Sequence, residues 1–101
     1  MAEFVRVAST DDVKPGHGMV AEMNGKALAL FNIDGTIYAI DNTCLHRGGP
    51  LGEGEVEGDE VSCPWHGWQY NVKTGACVNN PAVKIETYQV KVDGTDIKVL
   101  L

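Results

Sequence analysis

Apolar and polar positions alternate with a period of two along both ends of the chain, the spacing of strands that bury one face. Tyr88, Val90 and Val92 share one parity, and Ile97, Val99 and Leu101 share another, on either side of Asp93-Gly94. Leu28 and Leu30, then Tyr38 and Ile40, repeat the pattern around Asp34-Gly35. Together with Asn24-Gly25 these dipeptides are hairpin signals, because Asn, Asp and Gly tolerate the positive φ that two-residue loops demand. No window holds a 3.6-residue apolar period, and Ser9-Thr10-Asp11-Asp12-Val13 would cap a single helical turn. The pattern predicts an all-β chain of antiparallel strands.

The alternation lapses between about residues 43 and 81, where the sequence turns rich in Gly, Pro and Asn. A chain of 101 residues is one domain by length. The expected organisation is a single β domain over residues 1–101, with a basal scaffold at about 1–42 and 82–101 and an inserted subdomain at about 43–81.

Charge narrows the function. A net charge of -6 disfavours nucleic acid, which needs a basic surface to displace counterions. The acids are concentrated in Glu53-Gly54-Glu55-Val56-Glu57-Gly58-Asp59-Glu60, which reads as a solvated hairpin that also suits steering toward a basic partner face. The N-terminus lacks a charged n-region followed by an apolar run, and no stretch approaches a membrane span, so a soluble, cytoplasmic protein without membrane contact is expected. Three cysteines, an odd count, argue against a disulfide framework and for metal ligation.

The insert supplies the ligands. Cys44-Leu45-His46 and Cys63-Pro64-Trp65-His66-Gly67 are separated by sixteen residues and offer two thiolates and two imidazoles, a set that suits zinc or an iron-sulfur cluster. Zinc fingers typically group like ligands, with two or more residues between partners. Here each pair is mixed, and one residue separates Cys44 from His46, which suits a two-iron centre whose metals take different ligands. Gly48, Gly49 and Gly67 would let the backbone aim N–H groups at sulfur, while Pro50 and Pro64 stiffen the loops.

This four-ligand pattern resembles the Rieske [2Fe-2S] motif, and the resemblance extends over nearly the whole chain. It implies a Rieske fold: antiparallel sheets forming a basal sandwich with an inserted cluster-binding subdomain. It further implies that Cys44 and Cys63 bind the buried iron of a Rieske-type [2Fe-2S] cluster, and that His46 and His66 bind the outer iron near the surface. Asn79-Asn80-Pro81 resembles the proline-containing loop that covers the cluster on a third side. The oxidised site would be neutral, where four cysteines would leave -2, so it would accept an electron more readily; Rieske potentials run from about -150 to +300 mV against about -400 mV for plant-type ferredoxins. Gly49 and Trp65 stand where high-potential members carry a disulfide, and Trp68 where they carry a serine, although Tyr70 matches their sulfur-bonding tyrosine. A potential below about +150 mV is the expectation.

Around the ligands, Trp65, Trp68 and Tyr70 are expected to form an apolar shell that limits water, with Trp65 and Trp68 also suited to a docking rim. Arg47 reads as a solvated side chain or one that meets a partner carboxylate, Cys77 as a strand or turn residue, and His17 as part of an exposed turn.

Histidine counting separates carrier from enzyme. Oxygenases with a Rieske motif add a mononuclear iron held by two histidines and a carboxylate. Of three histidines here the cluster takes two, and His17 alone cannot replace the missing pair. The resemblance implies a monomeric ferredoxin that passes single electrons from a flavin-containing NAD(P)H reductase to a terminal oxygenase. A small subunit of assimilatory nitrite reductase, bound to its large subunit, is the alternative, and a zinc-stabilised interaction module is the third reading.

Overall fold

The computed structural model describes residues 3–23, 25–44, 48–65, 67–80 and 82–100. Ten antiparallel strands are described: β1 (Phe4–Ser9), β2 (Gly18–Met23), β3 (Lys26–Ile33), β4 (Thr36–Asp41), β5 (Glu55–Glu57), β6 (Glu60–Ser62), β7 (Gln69–Asn71), β8 (Thr87–Tyr88), β9 (Val90–Asp93) and β10 (Asp96–Leu100). They form three sheets in the orders β1-β10-β9, β2-β3-β4-β8 and β5-β6-β7. The all-β expectation holds, and the helical content is two short 3-10 turns among the described residues, Thr10–Asp12 and Leu51–Glu53. The first is entered through Ser9, whose backbone N–H donates to the Asp12 carboxylate at 3.1 Å.

The turn chemistry follows the sequence with one displacement. Ile33 pairs with Thr36 across Asp34-Gly35, both at positive φ (52° and 91°), the geometry of a type I′ loop. Met23 pairs with Lys26 across residues 24 and 25, of which Asn24 lies outside the described residues. At the last hairpin, however, Asp93 pairs with Asp96, so the loop is Gly94-Thr95 and Asp93 belongs to β9. Only Gly94 takes positive φ there (63°), so the glycine alone has to lead the loop.

The central sheet is buried on both faces, which the alternation of Leu28 and Leu30 alone does not reveal. Leu28, Leu30, Ile37 and Ala39 face one apolar cluster with Ala8, Ala21, Ile97 and Val99. Ala29, Phe31, Ile33 and Ile40 face a second cluster with Leu51, Val61, Tyr70, Val72 and Ile85. Leu28/Leu30 and Tyr38/Ile40 therefore point to opposite sides, since Leu30 is registered against Ala39 and Phe31 against Tyr38. The first cluster joins the terminal sheet to the central one as a sandwich. The second joins the central sheet to β5-β6-β7, giving three layers with the candidate site in the outer one.

Strand β9 is an exposed edge of the terminal sheet. Ile97 and Val99 are fully buried, but their cross-strand partners Val92 and Val90 are exposed and half-buried, so the apolar face expected on this arm is only half used. The acidic stretch forms the β5-β6 hairpin, with Glu55, Glu57 and Glu53 in solvent and Asp59 paired with Lys73 at 3.3 Å. His17 lies in an exposed turn, as expected. Among the described residues no helix is long and apolar enough to cross a membrane.

Candidate metal centre

Two loops, one leaving the central sheet and one the outer β5-β6-β7 sheet, carry a cysteine at their start. Cys44 follows β4 and Cys63 follows β6. Each loop is closed by the same two backbone hydrogen bonds. The Cys44 N–H donates to the Gly49 carbonyl (2.9 Å) and its carbonyl accepts from Gly48 (2.8 Å). Correspondingly, the Cys63 N–H donates to the Trp68 carbonyl (2.6 Å) and its carbonyl accepts from Gly67 (3.2 Å).

The fourth residue after each cysteine is a glycine at positive φ, Gly48 at 77° and Gly67 at 74°. That conformation lets the chain fold back on the cysteine without a Cβ clash. The shared Cys-x-x-x-Gly spacing is readable in the sequence, hidden by the shift of histidine from the second position after Cys44 to the third after Cys63.

Both sulfurs lie in the second core cluster, with Cys44 and Cys63 almost fully buried. The Tyr70 hydroxyl reaches the Cys44 sulfur at 3.4 Å. Tyr70 gets there because β7 registers it against Val61 on the inner face of the sheet, one strand from the start of the Cys63 loop. Burial pushes the Cys63 thiol above its ordinary pKa, and the neighbouring Cys44 adds to the rise through a hydrogen bond and its charge. Backbone N–H groups of Trp65 and Gly49 bond the same sulfur and pull the other way.

Gly49 brings the two loops together. A Cβ at this buried position would lie 2.7 Å from the Cys63 sulfur and 3.0 Å from Trp65 Cγ. Glycine is thus required by close approach here, as the sequence suggested. The structure also corrects one expectation: Trp65 is 51% exposed, so its ring does not seal the site, and its backbone N–H is the part that meets Cys63. Trp68 does pack, half-buried, against the core that contains both thiols.

The third segment is tied to β7. The Gln69 N–H donates to the Asn79 side-chain oxygen at 2.7 Å, and the Val78 N–H donates back to the Gln69 carbonyl at 2.8 Å. Pro81, His46 and His66, together with Arg47, lie outside the described residues. Cys77 is a buried core residue bridged to Tyr70, in keeping with its reading as a strand or turn residue. None of the three cysteines is in a disulfide.

The donor set fits a group held through two thiolates. Two buried sulfurs from separate loops are supplied with N–H and O–H donors, which favour the charged, ligating form, and a glycine leaves room beside one of them. The family model described as the Rieske [2Fe-2S] domain matches residues 3–98.

The chain belongs to the Rieske [2Fe-2S] family. Its cofactor is accordingly a Rieske-type [2Fe-2S] cluster. This Rieske chain is 36% identical over 99 residues to the ferredoxin component of the naphthalene 1,2-dioxygenase/salicylate 5-hydroxylase systems of Ralstonia sp., covering 97% of this chain and 93% of that one. Its structure is similar to a ferredoxin solved in complex with the oxygenase of carbazole 1,9a-dioxygenase, at 30% identity and a TM-score of 0.87, covering 96% and 92% of the two chains. It is also similar to a solved protein assigned as a nitrite reductase small subunit, at 25% identity and a TM-score of 0.85, covering 98% and 99%.

Proposed function

We propose that this Rieske protein is a soluble, cytoplasmic, monomeric electron carrier that takes single electrons from an NAD(P)H-dependent flavoprotein reductase and delivers them to the terminal oxygenase of a ring-hydroxylating system. Cys44 and Cys63 hold the inner iron and His46 and His66 the outer one. Residues 43–81 are the cluster-binding subdomain, and 1–42 with 82–101 are its scaffold. When bound, the cluster accepts and releases one electron at a time. The observation that carries the reading is the pair of cysteine loops, closed by matching hydrogen bonds and meeting at Gly49 and Cys63.

The residues of the chain divide the remaining work. N–H groups of Gly49 and Trp65 and the Tyr70 hydroxyl stabilise negative charge on the sulfurs, while Val61, Leu51 and Tyr70 exclude water from the inner side. An open groove beside Cys63 is lined by Glu53, Glu55, Ser62 and Pro64, and the half-exposed Trp65 follows in the same loop. A transient partner with a basic face suits this acidic surface, and its approach is steered by long-range attraction.

Reconstitution tests the reading directly. The loaded protein, mixed with a ring-hydroxylating reductase and oxygenase, should support NAD(P)H-dependent oxygenation that slows as salt screens the encounter. No electron transfer at low salt to any oxygenase of the class would overturn it.

A second reading follows from the similarity to a nitrite reductase small subunit. Affinity capture from the native source separates the two. A large sirohaem protein as the retained partner favours the reductase subunit, and a multimeric non-haem iron oxygenase favours the carrier.

A further inference from the structure

Asn42 stands at the point where the central sheet gives way to the first cysteine loop. It is one of two buried polar side chains among the described residues, and each of its backbone groups and its side-chain oxygen is committed. The backbone N–H donates to the Ala27 carbonyl (3.1 Å), which extends the pairing of β4 with β3 by one residue. Its carbonyl accepts from Leu51 (2.8 Å), and its side-chain Oδ1 accepts from Gly52 (2.8 Å). The side-chain orientation follows from the donor, since a backbone N–H requires the oxygen and not the amide nitrogen opposite it.

One residue thereby closes both ends of the segment 43–50. Gly52 cannot drift to compensate for a lost bond: it is buried, and even a Cβ added to it would stand 2.6 Å from the Met19 carbonyl oxygen of β2. Inside the closed segment, Thr43 bridges Pro50 and the Cys44 N–H holds the Gly49 carbonyl. The same Gly49 lies against the Cys63 sulfur, so close that an added Cβ would stand 2.7 Å from it, and its backbone N–H acts on that sulfur. The contacts run without a gap from the Asn42 side chain to the meeting point of the two cysteine loops.

We propose that Asn42 is a positioning residue that sets the first cysteine loop against the second and so keeps the Gly49 N–H on the Cys63 sulfur; this rests on the cluster site proposed above. Asparagine fits the task because its amide oxygen accepts the Gly52 N–H without adding charge beside the thiolates. Alanine removes the acceptor and leaves a buried N–H unpaired. Aspartate keeps the acceptor and adds a negative charge.

The test uses the cluster-loaded protein. In Asn42→Ala, amide hydrogen exchange at Gly49 and Gly52 should accelerate by about ten-fold or more, and the midpoint potential should fall as the sulfur loses its N–H donor. In Asn42→Asp, exchange at both amides should stay at the wild-type rate. Wild-type exchange at Gly49, or a wild-type potential, in Asn42→Ala would overturn the proposal. Should the alanine variant fail to fold, Asn42→Asp decides: protected amides support the role, and unprotected ones overturn it. A wild-type protein lacking the two-iron signal would defeat the cluster reading instead, a result separate from both.

Discussion

The Tyr70 hydroxyl stands 3.4 Å from the Cys44 sulfur inside the core. With Cys44 as a thiolate, only the phenol has a proton to give, so Tyr70 is the donor. The bond strengthens as negative charge on the sulfur grows, which favours the reduced site. Tyr70→Phe keeps the ring and removes the donor. A net hydrogen bond of about 1 kcal/mol corresponds to about 40 mV for a one-electron couple, and a fall of that order in midpoint potential is expected from redox titration. An unchanged or raised potential would count against the assignment.

Two glycines of the cysteine loops should respond differently to alanine. At Gly49 the new methyl would meet the Cys63 sulfur at 2.7 Å, so Gly49→Ala should abolish or sharply reduce cluster incorporation, read as iron and acid-labile sulfide per chain. At Gly67 a methyl meets no described atom within 4 Å, and only its positive φ of 74° opposes the change. Gly67→Ala should retain the cluster and cost about 1 kcal/mol in denaturant unfolding.

Consecutive residues of β3 serve different layers. Leu30 faces the sandwich between the terminal and central sheets, and Phe31 faces the cluster that contains both thiols. Leu30→Ala should destabilise the fold by roughly 2–5 kcal/mol and leave the visible spectrum of the folded protein unchanged. Phe31→Ala, at roughly 3–5 kcal/mol, should in addition shorten the lifetime of the visible chromophore below the unfolding transition. Far-ultraviolet circular dichroism followed beside visible absorbance distinguishes them.

Alkaline stability should track Tyr88. Burial raises its phenol above the ordinary value, and the carboxylates of Glu86 and Asp41 raise it further. The folded state therefore holds this proton more tightly than the unfolded state. Its stabilisation is complete below about pH 10 and is lost as pH climbs through the folded value. The fall in Tm above that pH should be shallower in Tyr88→Phe than in the parent, and equal slopes would contradict the link.

Residue chemistry alone makes much of this architecture legible. The Asp34-Gly35 loop follows from its dipeptide, and the Cys44/His46 and Cys63/His66 spacing leads to the family. The two-sided burial of β3 is not legible from the alternation of Leu28 and Leu30; its sign is the unbroken apolar run Ala27-Leu28-Ala29-Leu30-Phe31, which does not say that a third layer covers Ala29 and Phe31. Nor is the hairpin at Asp93, where the pairing register and not the dipeptide decides which residues turn. Trp65 is expected in the apolar shell because large aromatics usually bury, yet its loop places the ring at the surface and uses its N–H. Asn42 carries no signal at all in the sequence, since a polar residue before a turn gives no sign of being buried.

The central claim is that the two cysteine-histidine pairs hold one two-iron cluster. Reductive titration of mildly purified protein, followed by electron paramagnetic resonance with iron, sulfide and zinc analysis, tests it most directly. The account predicts two irons and two sulfides per chain, a one-electron signal with an average g value below that of four-cysteine clusters, and a midpoint below about +150 mV. Equimolar zinc, no sulfide and no signal on reduction would contradict it.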